Sequence, residues 1–451
     1  MFRLAVFCCV VLSWAAPTLL LACPFCESIG PTIADEIKTA DLAATGRLVR
    51  IAKPPEPAPT DDNPLGFLPE GPKGTFEVTH VFKGDDDVQP TGKIETAFAG
   101  TEPVGSDFLL LGYREPQRYW STPMALPGPA GKYVLEVVKL PESGPERLRY
   151  FLDYLQHPET MLDKDAYDEF AKAPYEDVKA LAPHFNREKL WKWIGDDQIA
   201  ASRKRLYYLM LSLCGQAEDR EKLEQMLVNR SHDVPTEALD SIIAAYLALA
   251  GVEGMPLIEE QFFTGADTSR EDVFAAVTAV RFHGEEEDII PRPRLQEAFR
   301  RLLDKPQTAE LVVSDLARWE DWTVMDRLVE LFRTAEPSTY FIRTPVVQYL
   351  SVCPLPEAKQ YLEELKAIDP QAVTRGMYFA QADSSTVPPP APNARPPRPQ
   401  PSQAEHREIE RATPPDVNDM LKWSLVAVGI SLLALIGAFI VYRRRQHDND
   451  T

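Results

Sequence analysis

"LVVSDLARWEDWTVMDRLVELF", residues 311–332, reads as two amphipathic helices in tandem. In its second half Met325, Leu328, Val329 and Phe332 stand three and four apart, so they form one apolar stripe of a 3.6-residue helix, with charge on the other side. Trp319 and Trp322, a helical turn apart, read as core rather than as a ligand cage. The same spacing recurs on both sides. "EAKQYLEELKAI" places Ala358, Tyr361, Leu362 and Leu365 on one face; "SREDVFAAVTAV" offers Ser269 and Asp272 as a capping-box-like start, then Val273, Ala276, Val277 and Val280. Thr236 to Ala250 forms another helix, closed by Gly251. Starts near Glu271, Arg294, Ala309, Thr323, Ile342 and Glu357 give helix pairs recurring at roughly 33 to 38 residues. Helical texture runs from 146 to 373. Between 146 and 235 the period is poor, and an irregular bundle stays open there as the alternative.

Upstream the pattern is β. A short helix carries Ile33 and Ile37 four apart, and a strand runs from about Leu42 to Ile51. Residues 53–73 hold seven prolines and read as a loop. "GTFEVTHVFKGD", with Phe76, Val78, His80 and Phe82 on one face, "GKIETAFAG", "DFLLLGY" and "KYVLEVVKL" supply four more strands between Gly, Pro and Asp turns. Five such strands predict a small Greek-key barrel.

Two resemblances follow from these residues. The order "TADLAATGRLVRI", "TFEVTHVFKGD", "DFLLLGY", behind a cysteine motif, is similar to the netrin-like barrel of metalloproteinase inhibitors, an OB-type fold, over residues 23–140. In that family the amine and carbonyl of the first cysteine chelate a protease zinc, so the resemblance implies that role for Cys23; the family spacing is Cys-x-Cys, whereas this chain has Cys-x-x-Cys and lacks the family's other cysteines. "LVVSDLARWEDWTVMDRLVELF" and "IRTPVVQYLSVCPLPEAKQYLEELKAIDP" resemble HEAT repeats, which implies an α-solenoid with an elongated groove for a protein partner.

The ends carry membrane signals. Residues 1–22, with Arg3 followed by an apolar run, have the shape of a secretory signal. "WSLVAVGISLLALIGAFIVY", Trp423 to Tyr442, is uncharged; its 20 residues at roughly 1.5 Å each match a bilayer core of about 30 Å. Trp423 and Tyr442 sit where interfacial aromatics belong, and Arg443, Arg444 and Arg445 mark the cytoplasmic side. "SSTVPPPAPNARPPRPQPS", Ser384 to Ser402, reads as a polyproline stalk of nearly 60 Å, at about 3.1 Å per residue. The expected chain is therefore multidomain α+β: signal 1–22, β-barrel 23–140, HEAT-like solenoid 146–373, Pro-rich linker 384–418, transmembrane helix 423–442 and cytoplasmic tail 443–451. It is a single-pass protein of the cell membrane with its bulk outside the cytoplasm.

Cys23-Pro24-Phe25-Cys26 has three readings: a structural disulfide in an oxidising compartment, lipidation of Cys23 behind Leu20-Leu21-Ala22, or a redox dithiol of glutaredoxin-like appearance. The staple is preferred, because the only residues before the motif are the signal, where a dithiol enzyme has a strand. A formal charge of -20, from 48 Lys plus Arg against 68 Asp plus Glu, disfavours nucleic acid. No nucleotide, zinc-protease, nucleophile-elbow or EF-hand motif occurs, so no catalytic residue, cofactor or metal is assigned. Asp85 to Asp87 and Glu285 to Asp288 lack spaced Ca²⁺ ligands, and Cys214 and Cys353 read as small buried hydrophobes. The expectation is a binding scaffold, with a thiol-disulfide oxidoreductase or a netrin-like protease inhibitor as the alternatives.

Overall fold

The computed structural model describes residues 25–26, 30–52, 71–84, 88–114, 117–229, 236–265 and 268–384. All belong to one compact unit, Met1–Pro389. The signal sequence, Cys23, Asp85 to Asp87, the linker beyond Ser384, Trp423, Tyr442 and Arg443 to Arg445 lie outside the described residues. The fold is mixed α+β, an antiparallel sheet followed by helices.

Thr32 starts the first helix, α1 (Ile33–Thr39), through a capping box: its hydroxyl accepts the Asp35 amide while the Asp35 carboxylate accepts the Thr32 amide. The sheet comprises β1 (Leu42–Ala52), β2 (Lys73–Lys83), β3 (Lys93–Ala97), β4 (Asp107–Tyr113) and two short strands, β5 (Tyr119–Trp120) and β6 (Met124–Ala125). Its order is β3-β2-β1-β4-β5, with β6 also on β4. Three register shifts between β1 and β2 bend the sheet. Gly46 sits at the bend, where an added Cβ would lie 2.8 Å from Leu110 Cδ1.

"DFLLLGY" is apolar throughout because β4 is covered on both sides. Phe108 and Leu110 join Leu42, Ala44, Leu48, Phe76, Val78, Ile94 and Phe98 in one core, where the Phe76, Phe98 and Phe108 rings meet edge to face at 5.2–5.7 Å. Leu109 and Leu111, with Ala43, point the other way, into a second core that continues through all the helices. The expected boundary near residues 140–146 is thus not marked by a break in the core.

One strand expectation fails. "KYVLEVVKL" is helical, as α2 (Ala130–Val137). The Pro127-Gly128-Pro129 turn, with Gly128 at φ +50, launches it, and Ala130, Tyr133, Val134 and Val137 bury one helical face. Its valines favour a strand locally, but packing on the sheet overrides that preference.

Fifteen further helices follow among the described residues: α3 (Pro145–Leu152), α4 (Thr160–Lys172), α5 (Tyr175–Ala180), α6 (Arg187–Ile194), α7 (Ala201–Cys214), α8 (Ala217–Val228), α9 (Leu239–Ala250), α10 (Met255–Ile258, continuing as a π-helical turn Glu259–Thr264), α11 (Arg270–Glu285), α12 (Arg292–Leu302), α13 (Glu310–Arg318), α14 (Met325–Arg333), α15 (Arg343–Val352), α16 (Pro356–Ile368) and α17 (Pro370–Ser384). From α11 to α16 the starts fall within about three residues of those expected, and Ser269 caps α11 by accepting the Asp272 amide. Odd-numbered helices pack in sequence, α7 on α9, α9 on α11, and so to α17; α14 likewise packs on α16.

Side-chain pairs repeat with this packing. Arg205 pairs with Asp240, Glu259 with Arg294, Arg281 with Asp315, Glu285 with Arg318, and Tyr361 donates to Asp326, each across 33 to 35 residues of sequence. Other links in the same region include spans of 21 residues, Arg300 to Asp321, and of 40, Arg270 to Glu310. Among the described residues, Leu239–Thr264 is the helical run long and apolar enough to cross a membrane, yet Leu239, Ile242, Ile243, Leu247, Ile258 and Phe263 are fully buried by protein, so here it is core.

Candidate functional site

Three places gather chemistry. At the first, Phe25 of the CPFC motif is fully buried, its ring edge-on to Phe282 of α11 at 4.9 Å. Phe282 in turn meets Tyr175 of α5 at 5.1 Å, whose hydroxyl donates to the Glu287 carboxylate and whose ring carries the Lys179 ammonium 4.8 Å from its centroid. Cys26 is half-buried and disulfide-bonded. Cys214 and Cys353 are free thiols, so the partner sulfur lies outside the described residues, where Cys23 also lies. Burial raises the Cys214 thiol to about 11, so it is inert at neutral pH.

At the second, α4 gathers charge where α1, α2 and α3 meet it. Arg147 of α3 grips Glu169 with two prongs, Nε–Oε2 2.8 Å and Nη2–Oε1 2.5 Å, and donates through Nη1 to the Pro141 carbonyl. Both side chains are buried, at 7% and 1% exposure. Lys172 bonds Thr32 Oγ1 and Asp35 Oδ2, each at 2.9 Å, and lies 3.2 Å from Glu169. Asp165 accepts the Ile33 amide and the Tyr133 hydroxyl, both at 2.7 Å. Asp35, Arg147, Glu169 and Lys172 border a cleft of about 250 Å³ with Glu142, Ser143, Gly144 and Asp177. Their donors are engaged with one another, so the arrangement works as a clamp from α1 to α4. Local sequence carries no sign of it, since the side-chain links between its helices stand 22 to 140 residues apart.

Buried titratable groups give the fold an acid response. His283 of α11 is fully buried; Nε2 lies 2.9 Å from the Ala244 carbonyl and must donate, leaving Nδ1 as an acceptor with no partner among the described residues. Burial pushes the imidazole down to about 4. The unfolded chain takes up that proton near 6.5, so stability falls as pH drops from about 6.5 to about 4, by ~3 kcal/mol. Asp165 acts oppositely. Burial raises its carboxyl to about 6 against an ordinary 3.8, so the folded chain binds the proton first and stability rises, by ~3 kcal/mol, as pH falls between those values. Asp165→Asn should therefore lose ~3 kcal/mol more than wild type between about pH 7 and pH 4 in urea unfolding. Parallel curves for the two proteins would contradict a proton held on Asp165.

The third place is a groove of about 490 Å³ over α13, α15 and α17, lined by Ser314, Ala317, Trp322, Tyr349, Val352 and Ala380 together with Gln348, Arg318 and Glu320. Tyr349 is fixed, its hydroxyl donating to the Asp321 carbonyl at 2.6 Å and its ring meeting Trp322 edge-on at 5.2 Å. Val352 is 55% exposed, and α17 also exposes Met377, Tyr378 and Phe379. Trp319 is core instead, stacked on Phe299 at 5.0 Å. Glu285 and Glu287 are tied to Arg318, Tyr175 and Lys179, and among the described residues no three metal-ligating side chains cluster.

Sequence reading pointed to Cys23, Cys26 and the membrane-interface residues; the structure describes only Cys26 of these, and adds Phe25, the α4 clamp and the groove. No family model, no curated protein and no solved structure matches the chain.

Proposed function

We propose that this chain is a membrane-anchored scaffold that binds a protein partner outside the cytoplasm. In this reading the sheet is a netrin-like OB barrel, α7 to α17 are HEAT-like pairs, the Pro-rich segment is a stalk, and Trp423–Tyr442 spans the membrane with Arg443, Arg444 and Arg445 on the cytoplasmic side. The observation that carries it is the groove over α13, α15 and α17, where one cation, Arg318, and one anion, Glu320, balance in a chain of formal charge -20, and the partly exposed Trp322 ring is backed by the buried Tyr349. Aromatic anchors of low side-chain entropy beside small residues suit a polypeptide segment. A disulfide at Cys26 fits an oxidising compartment, and a buried Phe25 supports a staple over a dithiol that must meet substrates.

Photo-crosslinking in membranes tests the reading. A crosslinker at Gln348, in the groove, should give a discrete protein adduct, and one at Glu363, exposed on α16, should give none. Val352→Glu should cut the Gln348 adduct at least ~10-fold with unchanged Tm, since a charge at the centre of a desolvated contact costs more than 1.4 kcal/mol. Equal labelling from both positions would defeat the groove as the binding face.

A further inference from the structure

The two charges in the groove are not equivalent. Arg318 is spent inside the fold, where its Nη1 bonds the Glu285 carboxylate and lies 3.3 Å from Asp315 Oδ1. Glu320 is exposed, and its carboxylate meets no cation or hydrogen-bond donor among the described residues. Its backbone, moreover, stands where a glycine would be at ease. Glu320 closes α13 at φ +56; its amide donates to the Ala317 carbonyl at 3.1 Å, and the Asp321 amide donates to the Leu316 carbonyl at 2.9 Å. Helices end this way on a left-handed residue, and Gly or Asn fills the place at less steric cost. A long acidic side chain held there, lining a groove and left without a partner in the fold, has its use outside the fold. The surface beside it is apolar. Trp322 is half-buried, and Val352 and Met377 are exposed. Met377 stands three residues before Ala380, on the same face of α17. Gly376 draws that helix onto α15, since an added Cβ would lie 2.5 Å from Val347 Cβ.

We infer that the groove takes a polypeptide segment of a partner protein that carries a Lys or Arg beside an apolar side chain, the cation meeting Glu320 and the apolar side chain lying against Trp322 and Val352. This rests on the groove being the binding face. A Lys or Arg there finds an anion with no other partner. An Asp or Glu in the same place is repelled by Glu320, and it finds Arg318 already held by Glu285 and Asp315. The groove therefore selects by sign of charge as well as by apolar fit.

Random peptides displayed on phage and selected on the full-length protein in detergent test this. Peptides that then crosslink from Gln348 should hold Lys plus Arg at least ~5-fold over Asp plus Glu, next to an apolar residue. Selection on Glu320→Lys should reverse that preference. Glu320→Gly should bind the wild-type peptides at least ~5-fold more weakly while its Tm stays at or above that of wild type, a split that a residue serving only the turn would not give. A basic preference that persists in Glu320→Lys belongs to the acidic surface at large and overturns the inference, as does full binding by Glu320→Gly. Peptides that crosslink as readily from Glu363 as from Gln348 give a different result, because they remove the groove itself as the binding face.

Discussion

Leu328→Asp should melt α12 to α16 while leaving the sheet protected. Leu328 is fully buried on α14, and a carboxylate there has no partner, at a cost of several kcal/mol. Where helix pairs contact only their neighbours, such damage spreads along the stack and weakens with distance. The Phe76, Phe98 and Phe108 core has its own contacts and should persist. Glu330, exposed two positions away, should accept Lys with little change. Hydrogen exchange by peptide separates the outcomes: protection lost in α12 to α16 and kept in β1, β2 and β4 fits a stack, whereas uniform loss would show one cooperative unit.

Glu169→Gln should destabilise by about 3–5 kcal/mol, because it leaves the Arg147 guanidinium buried without its carboxylate. Replacing both by methionines of similar volume should recover most of that, since the desolvation cost of both charges disappears with the pair. Lys38→Ala, which breaks an ion pair whose members are 72% and 86% exposed, should cost less than ~1 kcal/mol. Urea unfolding of the single and double variants gives the coupling directly. A single Glu169→Gln change within ~1 kcal/mol of wild type would mean the clamp is dispensable.

The helices whose apolar stripe is most legible in sequence are those where one face alone is buried. α14, with Met325, Leu328, Val329 and Phe332 inside, and α1, with Ile33 and Ile37 behind a Thr32 cap, show a clear period because their other faces meet water. β1 to β3 stand out by turn residues and β-branched content, and β4 as a short apolar run between turns. Where elements are buried on several sides the period vanishes: in α7 the six residues Leu206 to Leu211 are all buried, which is why the region from 146 to 235 gave no clear repeat. α2 was misread as a strand because its valines and its short length suit either state, and only docking on the sheet decides. At the candidate sites, the cysteine spacing was visible but not the destination of Phe25, since Phe282 lies far along the chain. The α4 clamp and the groove are likewise products of tertiary assembly, with partners that no local pattern connects.

The claim on which the rest depends is that α7 to α17 form a stack of repeated helix pairs, from which the groove follows. Optical-trap unfolding of the full chain, with handles at residues 200 and 384, tests it most directly. A stack held by nearest-neighbour contacts, each pair spanning about 35 residues, should open in successive steps of roughly 120 Å of contour length, at about 3.5 Å per residue. Release of the whole region in one event, with no intermediate lengths across pulling speeds, would contradict the account.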